Sequence, residues 1–262
     1  MLLKDKVVIV SGIGPGLGQE LSTLAAAEGA AAVILAARTE AKLDAAEKEI
    51  EELGLGTRTL KVPTDISDEA QCRALADKAA EAFGRIDVLF NSAYDPGSFE
   101  PIESAALDGW RRAMDVNFFG TMQLTQACIP HMKTHGGSIV MIATMVEHKP
   151  LAMQGGYGSS KSALRCATKH LALELGKYNI RVNSVHMGWM WGPSVEGYFS
   201  WQARSTGRSR EDLIAEVAAN IPLGHIPEDG DCARAALFFG SDYSAVVTGS
   251  ALDVNGGEYM TI

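Results

Sequence analysis

VVIVSGIGPGLGQEL, residues 7–21, begins as an unbroken apolar run and ends as the opening of a helix, with Gly12, Gly14, Gly16 and Gly18 at the joint. Glycines at a strand-to-helix turn permit positive φ, let the backbone approach a ligand closely, and aim amide N–H groups and the helix dipole at negative charge. A second strand-like run ending near residue 37 supplies the context that a dinucleotide-binding βαβ unit demands. A site for S-adenosylmethionine uses a similar loop and stays open on this stretch alone.

The rest of the chain repeats the same rhythm. Short Val- and Ile-rich runs at 6–12, 31–38, 57–65, 86–93, 137–144, 180–187 and 250–257 predict strands, most of them continuously apolar as in a sheet buried on both faces. Helical periods at 16–29, 40–53, 67–83, 106–134, 155–177 and 229–240 fall between them, with Asp or Ser before the third and glycine after the third and fourth. Pro130 predicts a bend near the end of the fourth helix. Right-handed crossovers then give an α/β fold: one doubly wound Rossmann domain over 1–262, with a seven-stranded parallel sheet and helices on both faces. Residues 188–225 break the rhythm and hold three of the four tryptophans. An aromatic insertion at a strand's end predicts a lid or substrate wall, the alternative being a helical pair packed on the core.

Composition narrows the function. With 23 Lys and Arg against 32 Asp and Glu the formal charge is −9, and the cations are scattered, so no footprint for nucleic acid or an anionic membrane is present. Cys72, Cys128, Cys166 and Cys232 form neither a C-x-x-C nor a zinc-finger spacing and read as reduced thiols, which suits a cytoplasmic protein. No signal-peptide pattern opens the chain and no apolar run is long enough to span a bilayer. Cys128, His131 and His135 lie on one helical stretch, but no carboxylate completes a ligand set, and no metal is expected. The absence of a G-x-S-x-G elbow leaves a serine hydrolase without a foothold.

The end of the second strand speaks to cofactor choice. An acidic residue there binds the ribose diol of NAD, whereas this chain has Ala37 and then Arg38, which removes the repulsion and offers a guanidinium to a 2′-phosphate. NADP(H) is therefore preferred. Pro15 adds no second charge beside the loop, so NAD(H) stays possible.

GGYGSSKSAL, residues 155–164, places Tyr157 and Lys161 four apart on one helical face. A phenol near its reference pKa of about 10 is protonated at neutral pH and donates a proton more readily than it removes one. A neighbouring ammonium stabilises phenolate and makes the side chain serviceable in both directions. Such a pair is common by chance, and an exposed pair is the plain alternative.

Together with SGIGPGLG (11–18), NSA (91–93), VNFFG (116–120) and GSIVMIAT (137–144), this element resembles the short-chain dehydrogenase/reductase family, in order and over essentially the whole chain. IPLGHIPEDGDCARAALFFGSD (221–242) and VTGSALDVNGG (247–257) resemble that family's C-terminal region. The resemblance implies that Tyr157 is the acid/base and that Lys161 lowers its pKa and bonds the nicotinamide ribose. Thr144, thirteen residues earlier, stands where a substrate-bonding serine is usual, and Asn117 would shape the site and help hold a water linking Lys161 to solvent. Gly12, Gly16 and Gly18 take the phosphate-loop positions beside Gly14 and Leu17, with Ser11 where Thr is commoner. Asp65 would contact adenine, Asn91 would support the cofactor-side strand, and Ile66, Ser92, Ala93 and Gly188 complete the cofactor side. A homotetramer or dimer joined through the helices at 106–134 and 155–177 is implied as well.

Departures from the family pattern bear on the pocket. Thr144 keeps a hydroxyl but its methyl restricts χ1; Tyr94 replaces a usual glycine; Met187 stands where a proline is usual. Tyr94, Met145, Met153, Met187, Trp189, Met190 and Trp191 are candidates for a large apolar wall, which predicts a bulky hydrophobic ketone or secondary alcohol as substrate. The competing reading is a cofactor-binding regulator with little turnover.

Overall fold

The computed structural model describes residues 1–260. Seven strands, β1 (Val7–Ser11), β2 (Ala32–Ala37), β3 (Arg58–Pro63), β4 (Val88–Asn91), β5 (Gly137–Thr144), β6 (Ile180–Met187) and β7 (Ala251–Val254), form one sheet in the order β3-β2-β1-β4-β5-β6-β7. Every pairing is parallel. Side chains alternate across the sheet, and both faces of its central strands are covered, which is why those strands read as unbroken apolar runs while the edge strands β3 and β7 do not. Val8, Val10, Leu35 and Phe90 face α1 (Leu17–Ala27), α2 (Glu40–Glu52) and α9 (Asp229–Gly240). Val7, Ile9, Ile34 and Leu89 face α3 (Glu69–Phe83), α5 (Thr121–Met132) and α6 (Gly155–Leu175). Each such side chain withdrawn from water contributes roughly 1.5–3 kcal/mol.

Helix ends follow local chemistry. The Asp68 carboxylate accepts from the Ala70 and Gln71 amides at the start of α3, and Gly84 closes that helix at φ 78°. The fourth predicted helix is α4 (Leu107–Met114) running into α5 through a π-helical turn, Asp115–Gly120. A π-helical irregularity thus lies before Pro130, which itself sits inside the last turn of α5, where only two residues follow it. A Cβ on Gly120 would stand 2.9 Å from the Ile66 carbonyl, so the wide turn is packed directly against the loop after β3.

Residues 188–225 fold into α7 (Pro193–Thr206) and α8 (Arg210–Ala218) around a small core of Phe199, Leu213, Ile221 and Ile226, with Trp189 and Trp191 packed on it. The insertion is thus a helical pair with its own core. Its leading strand of chain, Gly188–Val195, crosses the C-terminal ends of the sheet. Trp191 ties it down: its amide donates to the Pro227 carbonyl at 2.7 Å, and its own carbonyl accepts from the Asp229 amide at 3.0 Å. Strand order reverses between β1 and β4, and a parallel sheet opens a crevice at such a point.

Candidate active site

The crevice is a cavity of about 590 Å³. Gly12, Gly14, Gly16, Leu17 and Gly18 wall one side, with Asp65, Ile66, Ser92 and Ala93 beyond them. Two glycines are fixed by space. A Cβ on Gly12, which has φ 83°, would meet the Ala93 amide nitrogen at 2.4 Å, and one on Gly18 would meet the Gly12 carbonyl oxygen at 2.2 Å. The loop therefore folds with no clearance between turn, first helix and the end of β4: the Gly12 and Ile13 amides donate to the Ala36 carbonyl at 2.8 and 3.2 Å, and the N-terminus of α1 stands at the cavity wall.

Arg38 and, one helical turn on, Lys42 also line this cavity. Lys42 reaches across Gly14, its Nζ 3.5 Å from where a Cβ would stand. This second cation was not found from sequence, although its i+4 spacing from Arg38 across the start of α2 was a usable signal. Asp229, at the first turn of α9, also lines the cavity; burial raises its carboxyl pKa. No periodicity pointed to it.

Three residues expected near the cofactor or the reaction stand behind the wall rather than in it. The Ser11 hydroxyl is buried and donates to the Phe90 carbonyl at 3.3 Å, because its side chain points into the sheet. The Asn91 amide donates to Thr125 Oγ1 at 3.0 Å and Met141 Sδ at 3.3 Å, fastening β4 to its neighbours. Asn117, inside the π turn, is fully buried: it accepts from the Asp95 amide at 2.7 Å and donates to the Asp95 carbonyl at 2.8 Å and Ser160 Oγ at 2.9 Å.

Thr144, Tyr157 and Lys161 converge on the cavity floor. Thr144 ends β5; Tyr157 and Lys161 lie in the first turns of α6. The Thr144 hydroxyl donates to the Met187 carbonyl at 3.4 Å and accepts from the Val146 amide at 3.3 Å, and it stands beside the phenol on the cavity floor. Lys161 is 2% exposed and donates to the Ile142 carbonyl at 2.6 Å, with Nζ 6.0 Å from the Tyr157 ring centroid. The small residues around Tyr157 have a packing cause, since a Cβ on Gly156 would stand 2.9 Å from Trp110 Cγ of α4.

Electrostatics here differ from the simple expectation of an ammonium pulling a phenol down. Burial dominates and pushes the Tyr157 pKa up, with the neighbouring Thr144 hydroxyl opposing it. Burial also lowers Lys161 to about 8, partly offset by the negative charge of Glu147. The resting pair is a protonated phenol beside a weakly held ammonium, a set that donates a proton at neutral pH.

A second cavity, about 210 Å³, adjoins the first and shares Tyr94, Thr144, Tyr157, Gly188 and Trp189 with it. Met145 lines it as expected, and Met187 and Met190 line the larger one. Two expected wall residues do not line either cavity. Trp191 stacks on Phe199 in the small core, drawn there by its two backbone bonds, and Met153 is half exposed on a turn at φ 66°. Pro96, Phe99, Leu151 and Gln154 take those places. Of the CIPHMKTH histidines, His131 bonds Asp77 at 2.9 Å while Cys128 is sunk in the core, so they do not converge.

A family model described as enoyl-(acyl carrier protein) reductase matches residues 12–258. The chain belongs to the short-chain dehydrogenase/reductase family. This short-chain dehydrogenase/reductase is 33% identical to trans-4-hydroxycyclohexanecarboxylate dehydrogenase of Sinomonas cyclohexanicum, over 97% of this chain and 93% of that protein. Among solved structures it is similar to L-sorbose reductase from Gluconobacter frateurii complexed with NADPH and L-sorbose, at TM-score 0.93 and 28% identity, covering 100% and 99% of the two chains. It is also similar to NAD+-bound xylitol dehydrogenase, at TM-score 0.90 and 28% identity over 97% and 99%. Among the described residues of this short-chain dehydrogenase/reductase no helix is long and apolar enough to cross a membrane.

Proposed function

We propose that the chain is an NADP(H)-preferring oxidoreductase that moves a hydride between the nicotinamide and a carbonyl or secondary alcohol of an apolar substrate. One observation carries the reading: Thr144 and Tyr157 line both cavities at once, so a proton donor stands where a large dinucleotide-sized space meets a smaller apolar one. The fit of the larger space rests on the glycine cradle, whose turns leave no room for a Cβ. Bound there, the nicotinamide supplies or accepts the hydride. The chain's own residues bind and orient. Loop amides and the α1 N-terminus hold the pyrophosphate, Thr144 and Tyr157 bond the substrate oxygen, and Tyr157 gives that oxygen its proton. Trp189 and the segment after it act as the lid that excludes water.

The 210 Å³ space suits the reacting end of a branched or cyclic ketone, and a bulkier body leaves past Phe99, which is half exposed. NADPH oxidation should be fastest with cyclohexanone-like and larger apolar ketones; turnover confined to small polar polyols and ketoses would refute the apolar assignment. A homo-oligomer, dimer or tetramer, joined through 106–134 and 155–177 is inferred with it, since Phe119 and Leu173 are exposed on those helices.

Cofactor choice follows from Arg38 and Lys42. Charge-assisted bonds to a phosphate are worth about 1.5–3 kcal/mol each, so Arg38→Asp should weaken NADPH binding about 10–100-fold and leave NADH nearly unchanged. Lys42→Met should act in the same direction with a smaller effect. Equal losses for both dinucleotides, measured by fluorescence titration, would assign the 2′ position to another group.

A further inference from the structure

Glu147 closes the short 3₁₀ turn Met145–Glu147 that follows Thr144, and its side chain is entirely withdrawn from solvent. One carboxylate oxygen lies 3.2 Å from Arg165 Nε and the other 3.1 Å from His186 Nδ1. Neither contact has the alignment of a hydrogen bond, so charge and packing hold the group in place. Each neighbour belongs to an element of the site. Arg165 is one helical turn beyond Lys161 on α6, and His186 precedes Met187, the residue paired with Thr144 across β5 and β6.

The cluster is not a cation cage. His148 and His186 stack with centroids 5.3 Å apart and 21° between ring planes, so their in-plane lone pairs run side by side rather than meeting at a point. Arg165 already fills the place of a cation beside the carboxylate. The other His186 nitrogen is engaged with Ser184 Oγ at 3.0 Å.

We propose that Glu147 is a positioning residue of this site: its buried carboxylate locks the Thr144 turn against the Tyr157–Lys161 helix and supplies the negative charge that keeps the Lys161 ammonium charged. The inference rests on the oxidoreductase reading, in which Lys161 bonds the cofactor. Geometry supports the first half, since Glu147 follows Val146, whose amide donates to the Thr144 hydroxyl at 3.3 Å, and its carboxylate stands 3.2 Å from Arg165 Nε on α6. Placement supports the second: the carboxylate lies 3.2 Å from Arg165 Nε, and Lys161 stands one helical turn before Arg165 on the same face of α6. Glu147 raises the Lys161 pKa against the burial that lowers it to about 8. The groups facing Glu147 are His148 on its own turn, Tyr157, Lys161 and Arg165 on α6, His186 on β6 and Asp253 on β7, and its charge also favours the protonated Tyr157 phenol. Burial is the largest cause of its own rise to about 7, with Asp253 adding to it and Arg165 and Lys161 opposing. Above that pH its charge is present, and Lys161 loses its proton as pH rises through about 8.

NADPH affinity measured by fluorescence from pH 6.5 to 9.5 tests this without any substrate. The 2′-phosphate titrates near pH 6 in every variant and cancels in the comparison. Wild type should show a break near pH 8. Glu147→Gln, which keeps the shape and removes the charge, should move it down by about one pH unit, whereas Glu147→Asp should keep it within about 0.3. A Gln break that coincides with wild type, or equal shifts in Gln and Asp, overturns the inference, as does a wild-type profile without a break between pH 7 and 9, a result that needs no variant to fold. Failure of wild type to bind NADPH or NADH at all would instead overturn the oxidoreductase reading itself.

Discussion

Tyr157→Phe should lower turnover by about 10²–10⁴-fold, the usual contribution of a placed proton donor, while NADPH affinity stays within about twofold. The substitution removes one oxygen and leaves the ring that packs edge-on against Tyr94, at 6.4 Å between centroids. The loss amounts to roughly 3–5 kcal/mol of barrier. It belongs to the transition state, because negative charge appears on the substrate oxygen only as the hydride moves. Thr144 remains to hydrogen-bond that oxygen but has no comparable proton to give. Burial holds the phenol protonated across the neutral range, so the wild-type reduction rate should change little from pH 6 to 7.5 and fall as Lys161 deprotonates through about 8. Steady-state assays of both proteins over that range decide the matter, and a Phe variant retaining full activity would remove Tyr157 from the chemistry.

Gly18→Ala should lower affinity for NADPH and NADH alike by more than about 100-fold. The added methyl would stand 2.2 Å from the Gly12 carbonyl oxygen and 3.0 Å from its carbon, both backbone atoms with no side-chain freedom to yield. α1 must then retreat from β1, carrying the amides and dipole end that face the cavity with it. Gly14→Ala is the internal control, for its new carbon would meet only the flexible end of Lys42 at 3.5 Å. Calorimetric titration of the two variants should separate them widely; similar affinities would mean that the cradle is not where the dinucleotide's phosphates lie.

The central strands were legible because β1, β2, β4, β5 and β6 are buried on both faces, so period-2 burial appears as an uninterrupted apolar run, whereas the edge strands β3 and β7 are only partly buried and admit Arg58, Lys61 and Asp253. β5 and β6 were found to the residue, at 137–144 and 180–187. The phosphate loop was legible because backbone crowding demands glycine at fixed spacing. What escaped was set by contacts between distant segments. The π turn at Asp115–Gly120 carries no Pro or Gly at its start, and its close packing against Ile66 is a contact between distant segments. Trp191 looked like a wall residue by sequence neighbourhood, yet its ring is claimed by Phe199. Glu147, Arg165 and His186 come from three elements, and no spacing announces that they meet. Met153 and Trp191 were drawn into the wall by hydropathy alone, which cannot tell a cavity lining from a core or a surface turn.

The private core of α7 and α8 has an engineering consequence. Phe199, Leu213, Ile221 and Ile226 satisfy one another, and the two backbone bonds of Trp191 mark where the pair is stitched to the chain entering α9. Residues 189–226, which hold that core together with the Trp189 and Met190 that line the cavities, are in effect a detachable cassette: grafting the corresponding stretch of a relative between Gly188 and Pro227 would exchange the ceiling over the reacting carbon while leaving every proton-handling group on the sheet and α6 undisturbed.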